Sequence, residues 1–134
     1  LQVFHTKTYP MSVTKSIKVI KQYFKMWLTK DSRNLEDIFT SNIHYIECYG
    51  AEYSGLHEIK QWMSHKFKTQ TVFQWDIKNI YHDKNIFTVE WTFSCTENNK
   101  NFSFDGVSLI TFTEDKIAEI KEFESKKEHY RPYK

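Results

Sequence analysis

The amino-acid sequence predicts an α+β fold, with helices in the first half of the chain and a mostly antiparallel sheet in the second. Three observations carry this expectation. Apolar residues recur at helical spacing in two long segments between about residues 14 and 67. After residue 72 come long runs of period-two alternation, joined by short polar turns. The chain also carries only three Gly and two Pro against eleven Phe, eight Tyr and four Trp, a composition suited to ring-rich strands and a rigid interior. Helices first and strands later, rather than the two in alternation, separate this pattern from a doubly wound sheet.

The first helix is expected over residues 14–29. Ile17, Ile20, Phe24, Trp27 and Leu28 form its apolar stripe, Tyr23 flanks the stripe, and Thr14 is the candidate N-cap. Residues 31–34 break the pattern. Asn34 then caps a short second helix, with Glu36 and Asp37 at its positive end, ending near Phe39. Residues 43–49 read as a strand closed by Gly50. Ser54 and Gly55 open a third helix, with Ile59, Trp62, Met63, Lys66 and Phe67 on one face. Lys66 is expected to lay its stem along that face with its charge in solvent. Strands follow at 72–81, 86–96, 102–112 and 117–125, the third interrupted by Asp105-Gly106. Phe73, Trp75 and Ile77 should share one face of the first run, and Val89, Trp91 and Phe93 one face of the second. The short turns between them imply an antiparallel meander.

With 134 residues and a formal charge of +2, the chain is sized for one domain and has no electrostatic drive toward nucleic acid. The expected organisation is an N-terminal extension over residues 1–13, with Met11 as a candidate natural start, followed by a single domain over 14–134. No apolar stretch approaches the ~20 residues that span a bilayer, and the first residues lack the apolar core of a signal peptide. A cytoplasmic protein with no membrane partner is expected. Cys48 and Cys95 lack metal-ligand spacing and are expected as free thiols of opposite orientation. The six His are dispersed, with no pair at i, i+4, and no Gly-rich phosphate loop or nucleophile elbow occurs, so neither metal nor cofactor is expected.

Three stretches resemble the nuclear transport factor two-like superfamily of cone-shaped domains, which includes SnoaL-like cyclases and ketosteroid isomerases. They are NLEDIF (34–39) followed by IHYIECYG (43–50), GLHEIKQW (55–62) and FDGVSLITFTEDKIAEIKEF (104–123). The C-terminal SKKEHYRPYK is similar to the tails of SnoaL-like bacterial proteins. The resemblance implies a cone of three N-terminal helices packed on a curved, mostly antiparallel sheet, and a pocket inside it. Laid over the isomerase strand, IHYIECYG implies that Glu47 is a general base. Glu47 also shares strand parity with Tyr45 and Tyr49, and a carboxylate among rings is desolvated toward a useful pKa. Tyr23 falls where the isomerases keep a helix tyrosine that donates to a substrate oxyanion. Their protonated aspartate is replaced here by Ser108, a departure that argues against steroid isomerisation itself.

Asp105 keeps two readings open. It is a strand-edge aspartate bonded to nearby amides, or, if Gly106 marks a β-bulge, it turns inward toward Glu47. Trp27, Tyr45, Tyr49, Trp62, Trp75, Trp91, Phe93 and Ser108 are the candidate ligand-binding residues. The expected function is cofactor-independent acid/base chemistry of isomerase, cyclase or dehydratase type on a hydrophobic carbonyl compound. The alternative is a non-catalytic ligand-binding or dimeric interaction module. The expected partners are a small hydrophobic molecule and a second copy of the chain, paired through the polar sheet face of Thr88, Glu90 and Thr92.

Overall fold

The computed structural model describes residues 2–4, 11–126 and 128–134. Helix α1 (Met11–Thr29) buries Ile17, Ile20, Tyr23, Phe24 and Trp27 along one side and leaves its lysines in solvent, as its periodicity predicts. It starts before Thr14, which therefore lies inside the helix rather than at its cap. Helix α2 (Leu35–Ile38) is a single turn that buries Leu35 and Ile38. Asn34 occupies its N-cap position, but its side chain makes no capping hydrogen bond.

The strand after α2 is β2 (Phe39–Ile46), which begins earlier than expected and ends before Glu47. It turns straight into β3 (Glu52–Ser54), a hairpin partner that the sequence does not announce. Three residues are too few to carry a period-two signal. Within the turn, Glu47 N–H donates to the Ala51 carbonyl at 2.9 Å and Gly50 N–H donates to the Glu47 carbonyl at 3.0 Å. Gly50 adopts φ +100°, which suits a residue without Cβ. Helix α3 (Gly55–Thr69) starts where the sequence predicts, and the Glu58 carboxylate accepts the Ser54 backbone N–H at 2.8 Å. The three helices are thus not one N-terminal group, because α3 follows β2 and β3.

The meander is β4 (Gln70–Asp83), β5 (Ile86–Glu97), β6 (Lys100–Thr113) and β7 (Lys116–Glu124). Strand β1 (Gln2–Phe4) pairs with the far edge of β4, so the expected N-terminal extension contributes a strand. The seven strands form one sheet in the order β1-β4-β5-β6-β7-β2-β3. Every pairing is antiparallel except β2 beside β7, which is parallel. The β4–β5 register slips between Val72 and Gln74 and again between Ile77 and Asn79. The first slip buries both Val72 and Trp75 and turns Phe73 outward, 59% exposed, where strict alternation would place it with Trp75.

Helices and inner sheet face share one core, in which Ile20, Tyr23, Tyr45, Ile59, Met63, Trp91 and Ile110 are almost fully enclosed. Each such large side chain contributes about 1.5–3 kcal/mol relative to an exposed one. The other face is polar. Asn79 donates to Glu90 at 2.7 Å, Thr92 to Asp105 at 2.7 Å, and Lys78 pairs with Asp105 at 3.2 Å.

Candidate active site

The β2–β3 turn fixes Glu47 one residue beyond the end of β2, with its backbone tied to Ala51 and Gly50. Its side chain is buried, and the Tyr53 hydroxyl, brought by β3, donates to Oε1 at 2.6 Å. Burial raises the Glu47 carboxyl above its ordinary range, while the Tyr53 bond and the Lys66 charge pull the other way.

A second carboxyl joins it. Glu122, on β7, is brought beside β2 by the parallel pairing, and the Tyr45 hydroxyl donates to its Oε2 at 2.5 Å. Glu122 keeps partial exposure as a residue, but its carboxyl is closely surrounded. Burial, and secondarily repulsion from Glu47, push it up to about 8, against the Tyr45 bond. Glu122 is thus mainly neutral at pH 7. Sequence reasoning does not single it out. The signal is present only as parity, since Glu122 lies two residues beyond buried Ile120 on the same strand face.

Behind Tyr45 lies Tyr23. The Tyr23 hydroxyl donates to the Tyr45 oxygen at 2.8 Å, and Trp27 Nε1–H donates to the Tyr23 oxygen at 2.9 Å. Both phenols are held well above their ordinary pKa by burial first, then by the Glu122 charge. Tyr23, expected to meet a ligand directly, is fully buried and lies outside the lining of the cleft.

The two carboxyls open into one cleft of about 40 Å³. Trp27, Tyr45, Tyr49, Trp62, Trp75, Trp91 and Phe93 line it, joined by Cys48, Lys66, Gln70 and Phe104. Ring stacking stiffens the walls: Trp62 lies on Tyr53 with centroids 4.4 Å apart, and Trp75 on Phe24 at 3.9 Å. Trp62 Nε1 and Trp75 Nε1 are buried without a hydrogen-bond partner among the described residues. Lys66 is not free in solvent as expected, but ion-paired to Glu97 at 2.7 Å. Burial pushes the Cys48 thiol up to about 12.

Two candidates stand elsewhere. Ser108 is buried and accepts a hydrogen bond from Trp91 Nε1 at 2.9 Å, behind the cleft wall rather than on it. Asp105 is on the opposite sheet face, bonded to Thr92 and Lys78, which hold its carboxyl below the usual range. Gly106 marks no bulge, because the β5–β6 ladder runs unbroken through Trp91↔Gly106 and Thr92↔Asp105. It makes room instead. A Cβ on Gly106 would sit 2.3 Å from Trp91 Cη2 and 2.5 Å from the Phe123 carbonyl oxygen. Among the described residues, no three His, Cys, Asp or Glu side chains form a group suited to a metal ion, and no helix is long and apolar enough to cross a membrane.

Known structures share this architecture. An epoxide hydrolase of M. tuberculosis, described as LEH-like, superposes with a TM-score of 0.76 at 11% identity, over 87% of this chain and 86% of that one. An NTF-2-like protein of unknown function from Burkholderia xenovorans gives 0.74 at 14% identity, over 92% and 93%. A protein with a ketosteroid isomerase-like fold from Catenulispora acidiphila, solved with trimethylamine, gives 0.70 at 16% identity, over 81% and 86%. At such identities the likeness establishes the fold alone. No functionally curated protein gives a sequence match. The model of the SnoaL-like domain matches residues 20–120, three quarters of the length, and the chain belongs to that family.

Proposed function

We propose that the cleft is a general acid–base site for a small, apolar carbonyl compound, working without a cofactor by chemistry of isomerase, cyclase or dehydratase type. The observation that carries this reading is the pair Glu47 and Glu122 lining one ring-walled cleft, with Glu122 held mainly neutral at pH 7. Two carboxyls whose surroundings set different proton occupancies are suited to opposite roles. Glu47 is the base: its carboxylate takes a proton from carbon next to the carbonyl, and that C–H bond breaks. Glu122 is the acid: it gives its proton to the carbonyl oxygen, and the enol forms. Return of a proton from Glu47 to a different carbon completes an isomerisation, and the Glu122 proton is recovered when the carbonyl re-forms. Neighbouring rings exclude water and strengthen both interactions. Room of about 40 Å³ suits a compact carbonyl head rather than a fused-ring skeleton.

The two unpartnered indole N–H groups of Trp62 and Trp75 favour a second reading, in which the same cleft only binds an acceptor-bearing apolar molecule. Exchange of α-protons of small ketones in D2O, followed by NMR, separates the two. The expected result is exchange above the solvent rate that falls about 100-fold or more in Glu47→Gln and in Glu122→Gln. Equal exchange by the parent and the double variant removes the acid–base reading and leaves the binder.

A further inference from the structure

The hydrogen bonds behind Glu122 have a fixed sense. Trp27 Nε1–H is donor-only, so the Tyr23 oxygen accepts from it at 2.9 Å. Tyr23 is fully enclosed, and the Tyr45 oxygen at 2.8 Å is the acceptor its hydroxyl proton meets. Tyr45, having accepted, sends its own proton to Glu122 Oε2 at 2.5 Å. Reversing the chain would leave the Tyr23 proton buried without an acceptor, at a cost of about 1–3 kcal/mol.

We propose that Trp27, Tyr23 and Tyr45 form a one-way hydrogen-bond wire that keeps Glu122 Oε2 an acceptor and consigns the carboxyl proton to Oε1, the oxygen left for a ligand in the cleft. Tyr23 and Tyr45 are then positioning residues. The hydroxyl that the family resemblance assigned to substrate contact acts instead through Tyr45 on a carboxyl that lies 77 residues beyond Tyr45 in the chain. The wire stands on its own geometry. Its catalytic meaning, a carboxylic acid aimed at a carbonyl oxygen, rests on the acid–base reading.

Other groups around Glu122 do not set this sense. Glu47 at the β2–β3 turn repels its charge, and Tyr53 from β3 is engaged by Glu47. Ser108, opposite it on β6, accepts from Trp91 and makes no hydrogen bond to the carboxyl, and the thiol of Cys48 is held neutral. Tyr45 therefore gives the carboxyl its directional contact.

Titration of Glu122 in the full chain, by carbon-13 NMR of labelled glutamate side chains, tests the wire in parent and Tyr23→Phe. In the proposed sense, the Tyr23 proton strengthens Tyr45 as a donor to the carboxylate. Removing it weakens support for the charged form, so the Glu122 pKa rises by a few tenths on the pH scale. In the opposite sense, with Glu122 donating to Tyr45 and Tyr45 to Tyr23, the variant frees the Tyr45 proton to turn onto the carboxylate, and the pKa falls. A rise supports the wire; a fall or no change overturns it. Tyr45→Phe, which deletes the contact itself, should raise the pKa further than Tyr23→Phe does. If Tyr23→Phe fails to fold, Trp27→Phe carries the same sign and decides between the two senses. None of these readouts requires turnover, so failure of the wire and failure of the acid–base reading are seen in separate experiments.

Discussion

Between pH 4.5 and about 8, Glu122 in the folded chain holds a proton that an unfolded glutamate has already lost. The folded state therefore binds more protons than the unfolded state in that window, and stability falls as pH rises through it, levelling above about 8. Glu122→Gln keeps the shape and removes the charge. Thermal melts should show variant and parent nearly level at pH 5, with the variant gaining as pH rises to 9, by an amount on the order of 2–4 kcal/mol after allowance for the side chain's partial exposure. A parent that gains on the variant with rising pH would mean that the carboxylate is welcome where it stands. Glu47 shifts in the same direction, opposed by Tyr53. At this scale the sequence is legible where parity and family pattern agree: Glu47 and the rings grouped with it line one cleft, though Glu47 lies just past the strand. Tyr23 is located by the sequence but not its role, because no periodicity reveals that Tyr45 stands between it and the cleft. Glu122 is readable from its spacing to Ile120, yet what keeps it protonated, enclosure by distant strands and repulsion from Glu47, is written nowhere near it.

Two small elements decide how the walls stand. Gly106 lies beneath the Trp91 indole on an unbroken ladder. Gly106→Ala should therefore force the ring or the β7 backbone aside and destabilise the fold by about 1–3 kcal/mol, measured by denaturant unfolding. A neutral substitution would show that Trp91 has slack. The β2–β3 hairpin carries Tyr53 to Glu47, and it is invisible in the sequence because a three-residue strand has no period. The longer strands and α3 are predicted to within a few residues, since 12- to 14-residue strands and a 15-residue helix give periodicity room to show. The slips in β4 leave no such trace, because Phe73 is as apolar as the core residues beside it. Phe73 turns outward because Val72 pairs with Cys95 and Gln74 with Ser94, which leaves it without a partner in the ladder.

On the sheet face away from the helices, Thr88, Glu90, Thr92 and Asp105 form a half-buried polar surface, and exposed Phe73, Phe102 and Phe123 add apolar area elsewhere. A homodimer through the polar face is expected, covering on the order of 1,200 Å² or more in total. Light scattering at micromolar concentration should give twice the mass of one chain, and Glu90→Arg should halve it. A single-chain mass for the parent would rule the dimer out.

The parallel contact of β2 with β7 joins two parts that can each form from local contacts: the hairpin with α3, and the meander. Tyr45 comes from one and Glu122 from the other. The seam is therefore a step of long chain closure, the kind that slows folding and comes late. A growing polypeptide has Glu47, Tyr23 and most of the ring walls long before it has Glu122. Nascent chains halted before β7 would present the Glu47 carboxyl in an open aromatic trough, and the second carboxyl would arrive in one stroke as β7 zips alongside β2.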